Sequence, residues 1–249
     1  MHISISAQPI FHIGNFPITN TLITGWIAIL LVVIISIIIS RRVKVIPDRV
    51  QGLSEIVLEG FMDFMETFAG SRQKVRQFLP FVATIFFFIL ASNWVGTLPG
   101  IESIGFHEIH DGHEVFVPLF RTANSDINMT LALAIIVVVG SHIVGLYSVG
   151  RHHIGKFLVN PFKSPIGAFI GILELIGEVS RTVSLTFRLF GNIFAGSILM
   201  LIISYLAPFI LPIPFLGLEL FVGFIQALVF AVLAMMFMSS ATVSHSEEH

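Results

Sequence analysis

The sequence contains no cysteine, which excludes disulfides, thiol chemistry and cysteine-ligated metals. Charge is also scarce: Asp, Glu, Lys and Arg make up 11% of the 249 residues, against about 25% in ordinary soluble domains. Neither a GxxxxGKS/T phosphate loop nor an HExxH pair occurs, so the usual residues for nucleotide hydrolysis and zinc proteolysis are missing. No internal repeat and no low-complexity linker divides the chain. What fills it is apolar, at 55% hydrophobic residues and a mean hydropathy of +0.94. Each membrane-spanning helix needs about 20 largely apolar residues. The length therefore accommodates roughly five or six long helices and no separate soluble domain.

The expected fold is an all-α membrane protein, one integral domain over residues 1–249. It would have five transmembrane or strongly tilted helices, one interfacial amphipathic helix, and a tilted hairpin made by the last two long helices. Residues 21–40 are the clearest span, and Arg41, Arg42, Lys44 and Arg49 after it belong on the cytoplasmic side. No Lys or Arg precedes that span, so it reads as a retained anchor with residues 1–20 outside. Pro47 then breaks the chain. Residues 48–70 carry Glu55, Glu59, Asp63 and Glu66 at helical spacing among apolar residues, the pattern of an interfacial helix.

Arg72, Lys74 and Arg76 mark the cytoplasmic side again. Segments 78–98 and 127–147 form a spanning hairpin, and the loop between them, with Glu102, Glu108, Asp111 and Glu114 against Arg121, is expected outside. Arg151, His152, His153, Lys156 and Lys163 follow on the inner side. From 165 to 206 there is no strong turn signal. Such a helix would measure about 63 Å at 1.5 Å per residue, twice a hydrocarbon core of about 30 Å. It must tilt, bend or divide, and Pro208, Pro212 and Pro214 supply the first clear break, which favours tilt. Segment 215–243 is the second long helix, antiparallel to it, with the tail in the cytoplasm.

The chemistry lies on one stripe of segment 165–206. With Glu174 at zero and about 100° per residue, Glu178 falls at about +40°, Arg181 at about −20°, Arg188 at about −40° and Asn192 at about 0°. Gly167, Gly171 and Gly196 share or border this stripe, so another helix can approach it closely. On the last helix Glu219, Gly223 and Gln226 share a face. Carboxylates in such surroundings can load and release protons, whereas arginine keeps its charge. By insertion scales an arginine at the bilayer centre costs roughly 2.5–3.5 kcal/mol, so its presence calls for a function. Arg181 is within reach of Glu178, three residues away, but Arg188 lies about 15 Å along the axis from that glutamate.

The counter-charge of Arg188 is therefore expected from another chain. Two other readings stand beside this one at the level of the residues: a self-contained transporter whose arginine meets an anionic substrate, and a structural anchor with a buried salt-bridge network. Lesser candidates have simple explanations. His107, His110 and His113 with the neighbouring acids look metal-like but read more simply as a solvated turn. His142 reads as packed and hydrogen-bonded rather than as a proton relay. Asp126 and Asn128 open a helix, as caps or as the lining of an aqueous entrance.

Leu185-Thr-Phe-Arg188-Leu-Phe-Gly-Asn192-Ile-Phe-Ala-Gly196 resembles the signature around the essential arginine of subunit a of the F-type rotary ATP synthases. Glu174 and Gln226 also fit that family; Asn93 and Asp126 to Thr130 fit more loosely, and the similarity runs from residue 20 onward. The resemblance implies a stator subunit whose tilted helices curve around a ring of c subunits, with peripheral-stalk b subunits and the rest of the complex as partners. Arg188 would face each rotor carboxylate and separate two offset aqueous half-channels. Glu219 and Asn192 would line the outer one, and Glu174 and Glu178 the inner one.

The chain departs from the pattern at Ser197, where many members carry Glu or His paired with a residue at the Glu219 position. Mitochondrial members typically show histidine there, so the resemblance favours a bacterial inner membrane, with the N-terminus outside and the C-terminus in the cytoplasm. It implies no cofactor, no metal, no nucleic acid and no catalysis by this subunit alone.

Overall fold

The computed structural model describes residues 7–14, 16–101, 104–110, 113–150, 165–208 and 210–242. Six α-helices are found among them: α1 (Asn20–Arg41), α2 (Arg49–Ala69), α3 (Arg72–Thr97), α4 (Ile127–Val149), α5 (Pro165–Leu206) and α6 (Pro212–Ala241). All except α2 are long and apolar enough to cross a membrane. The all-α membrane class expected from composition is the class observed.

Side chains start these helices where the sequence offers short oxygen-bearing residues. Thr19, Asp48, Ser71 and Asp126 accept from the backbone N–H groups of Leu22, Gln51, Lys74 and Asn128 in the first turns of α1, α2, α3 and α4. The Gln51 N–H is the main reason the Asp48 carboxyl is held below its ordinary value. That cap is at full strength at neutral pH and is lost as pH falls through the lowered value. Helix α2 ends on Gly70, whose φ of 77° is a left-handed conformation that glycine alone adopts without strain.

Helix α3 is central. Its Val75, Phe78, Val82, Phe86 and Ile89 are buried with Val137 of α4, Leu185, Leu189 and Ile193 of α5, and Phe230 and Met235 of α6. Ala227, Ala231 and Ala234 are buried completely, and with lipid as apolar as any side chain, small residues of this kind bring helices together by close contact. Helix α2 buries Phe61, Met65 and Ala69 and exposes Leu53, Ile56, Phe64 and Phe68 beside Glu55, Glu59 and Asp63. Arg72 ties the α2–α3 turn to Asp63, to Glu66 at 3.2 Å and to Glu59 at 3.8 Å. Helix α5 is a single run of 42 residues.

Two short antiparallel hairpins were not anticipated: β1 (Pro9–Ile13) with β2 (Phe16–Thr19), and β3 (Gly105–His110) with β4 (His113–Pro118). Each strand pairs with its immediate neighbour in the chain, and none is long enough for period-two alternation to stand out. The Asp111-Gly112 dipeptide between β3 and β4 was a usable hairpin signal. The side chains of His107, His110 and His113 lie outside the described residues, as do the basic segment 151–164 and the tail 243–249.

Glycine separates tight from loose packing. A Cβ on Gly96 would lie 2.4 Å from the Thr122 Cα, whereas one on Gly60 would meet nothing within 4 Å. Gly96→Ala is expected to prevent recovery of folded protein. Gly60→Ala, inside α2, should raise stability by about 0.5–1 kcal/mol. Thermal melts of the two variants in detergent check both.

Candidate functional site

Burial of Leu185, Leu189 and Ile193, each 3% exposed or less, fixes how α5 sits against the bundle. The same rotation leaves Arg188 and Asn192 exposed on a different face. Arg188 Nη2 donates to Ser184 Oγ, one turn earlier, at 3.3 Å. Among the described residues no acid pairs with it. Close by on the helix there is open space, since a Cβ on Gly191 would meet nothing within 4 Å. The arginine therefore stands on an apolar, glycine-lined face with a hydroxyl as its hydrogen-bond partner.

Glu178 and Arg181, which the three-residue spacing brought within reach, do pair: Arg181 Nη1 donates to Glu178 Oε1 at 2.6 Å. The other carboxylate oxygen, Oε2, lies 3.5 Å from His142 Nε2 on α4. Arg181 also sits over the ring of Phe237 on α6, 5.3 Å from its centroid, a cation–π contact. One cluster thus joins α4, α5 and α6 at the end of the bundle that carries Arg72 and Lys74. Glu174, one turn before Glu178, is half-buried and has no hydrogen bond or ion pair among the described residues.

Towards the other end of α5, Glu219 of α6 packs its carboxylate against the backbone of Gly196. A Cβ there would lie 3.3 Å from Glu219 Oε1, so the missing side chain is what admits the acid. Ser197, next to it, donates its hydroxyl to the Ile193 carbonyl at 3.0 Å within its own helix. Gln226 is half-buried two turns beyond Glu219, with no hydrogen bond among the described residues. Arg121, before α4, lies 5.9 Å from the ring centroid of Phe194.

The same end holds a buried polar cluster that sequence reasoning caught only in part. Asn93 of α3 donates to the Gly223 carbonyl at 2.9 Å and accepts from Asn124 at 2.8 Å. Thr21 of α1 donates to Asp126 at 3.1 Å. Asn20 donates to the Pro118 carbonyl at 3.3 Å, and Thr24 accepts from the Arg121 N–H at 3.3 Å. All these side chains except that of Arg121 are buried, and Ser92 Oγ and Asn124 Oδ1 have no protein partner there. Buried polar atoms are almost always bonded, so these two are exceptions among the described residues. The run Arg121 to Asp126, polar residues directly before an apolar helix, was the available signal.

Residues 22–239 match the family model described as ATP synthase A chain. The chain is 34% identical over 241 residues to ATP synthase subunit a of Trichlorobacter lovleyi, covering 96% of this chain and 94% of that protein. It is also 34% identical over 218 residues to ATP synthase subunit a of Geobacter sulfurreducens, covering 87% of this chain and 84% of that one.

Asn93→Leu would leave the Gly223 carbonyl and the Asn124 amide without their partner. A loss of about 1–3 kcal/mol is expected, read as a lowered melting temperature beside an unchanged helical signal.

Proposed function

The chain belongs to the ATP synthase A chain family, and from that premise we propose that it is the stator proton-channel subunit of an F-type ATP synthase. It is a multi-pass membrane protein that does not catalyse phosphoryl transfer alone. In this reading two offset half-channels load and unload protons on the carboxylates of a c-subunit ring, so that proton flow turns the rotor and drives ATP synthesis.

The observation that carries the reading is Arg188: exposed on α5, permanently charged, and without an acid of its own chain among the described residues. A carboxylate moving past on a neighbouring ring supplies the missing charge. Facing Arg188, that carboxylate is favoured in its ionised form, so a proton cannot cross directly from one half-channel to the other. The proton must travel around with the ring. Each proton crossing about 100 mV provides only about 2.3 kcal/mol, so ATP synthesis needs several transfers summed by rotation.

The outer half-channel would run along Glu219, Asn192 and the buried Asn93 cluster, and the inner one along Glu174 and Glu178, with Gln226 between them on α6. Helices α5 and α6 line the path, and the exposed face of α5 meets the ring. The b subunits of the peripheral stalk and the remaining subunits complete the assembly. Arg41, Arg42, Arg72 and Lys74 gather at one end of α1 and α3. By the positive-inside rule this end faces the cytoplasm of a bacterial inner membrane, with residues 1–20 and the N-terminus outside and the C-terminus inside.

Arg188→Ala should leave the complex assembled and reduce proton-driven ATP synthesis in vesicles to the background of vesicles without the complex. Retained synthesis in an assembled complex contradicts the reading. Glu219→Gln is expected to slow proton uptake several-fold without dissociating the complex, read from the rate of gradient-driven synthesis.

A further inference from the structure

His142 lies in an apolar span, and among the described residues it is the only histidine in a helix. Its imidazole is 33% exposed and reaches the Glu178 carboxylate, which is 14% exposed, on a different helix. We propose that His142 is a further proton-exchanging residue of the inner route, acting as a pair with Glu178; this rests on the function proposed above.

Glu178 is held from two directions. Arg181 occupies Oε1 at 2.6 Å, and its guanidinium also lies over the Phe237 ring at 5.3 Å from the centroid. Oε2 is left as the oxygen able to take a proton, and it is the one that faces His142 Nε2 at 3.5 Å. That separation is just beyond a hydrogen bond, and catalytic contacts of this kind tighten when the working complex forms or are closed by one water. Of the three groups, arginine does not release its proton, whereas imidazole exchanges one in the physiological range.

The step balances simply. The Nε2–H bond of the imidazolium breaks, the proton forms an O–H bond at Glu178 Oε2, and a neutral imidazole and a neutral carboxylic acid result. The reverse transfer restores the ion pair. Glu174, one turn further along α5, is the next carboxylate on the same stripe.

The described helices packed around the imidazole bring the following charged groups. Helix α5 brings Glu178, Arg181 and, a turn away, Glu174. Helix α6 brings Phe237 and no titratable group at this end; the only described acid of α6 is Glu219 at the other. Lys74 of α3 sits on Ser239 of α6 at 3.4 Å. The single 3-10 turn Ala123–Ser125 lies at the opposite end of α4, where Asp126 is the cap. A purely structural histidine would staple α4 to α5 and give no dependence on buffer chemistry.

The test uses the whole complex in inverted membrane vesicles, with ATP-driven proton pumping measured from pH about 5.5 to about 8.5, the range that brackets imidazole titration. His142→Gln keeps polarity and length but cannot titrate. It should assemble, pump several-fold more slowly than the native complex near neutral pH, and give a pH profile of a different shape from the native one. His142→Gly should regain rate when imidazole is added, in proportion to the protonated buffer. A His142→Gln profile that superimposes on the native one overturns the proposal. So does failure of that variant to assemble, or a His142→Gly defect that imidazole does not relieve. Arg188→Ala in the same vesicles separates the two claims. If it is blocked while His142→Gln is native, only the histidine proposal fails; if it pumps normally, the function itself is wrong.

Discussion

A guanidinium cannot shed its proton at any relevant pH, and hydrocarbon cannot solvate it. A chain that keeps one on an apolar helix must find it a counter-charge. Here the acids of the spanning helices are placed elsewhere. Glu178 is taken by Arg181, Glu219 packs against Gly196, and Asp126 caps α4 while accepting from Thr21. Glu174 is on the right stripe but about 21 Å along the axis from Arg188. The burial of Leu185, Leu189 and Ile193 then turns the arginine away from the bundle. The bundle positions the charge, and among the described residues it offers no acid as a complement.

The two ends of the bundle are built from different chemistry. One is a buried set of amides and hydroxyls, Asn20, Asn93, Asn124 and Thr21, cross-linking α1, α3, α6 and the entrance to α4. Beside them Asp126, which accepts from Thr21, and Glu219 bring carboxylates to the same end. The other is ionic, with Glu178, Arg181 and His142 joining α4, α5 and α6.

Hydropathy made the all-helical class legible, because a spanning helix must satisfy every backbone group internally and so writes long apolar runs. The Arg181–Glu178 pair was legible from its spacing within one helix. What crosses between helices was not. His142 and Glu178 are far apart in sequence, and nothing local marks them as neighbours. Asn20 and Asn124 carry no local mark of their partners, which the fold supplies by gathering α1, α3 and the start of α4 at one end. The hairpins β1–β2 and β3–β4 were missed because four to six residues carry too little pattern against an apolar background. Ser197 looked like a lost ionisable partner. Its hydroxyl serves its own helix, and the neighbouring glycine makes room for Glu219.

The most direct test of the central claim is a cross-link. The native chain has no cysteine, so Asn192→Cys places a single thiol one turn from Arg188 on the exposed face. It would be paired in the assembled complex with a c subunit carrying a cysteine beside its carboxylate. Mild oxidation should yield an a–c disulfide product from Asn192→Cys and little from Leu189→Cys, whose position is 1% exposed. An intact complex that gives no product at Asn192, or gives it equally at Leu189, would mean that the face of Arg188 does not meet the rotor.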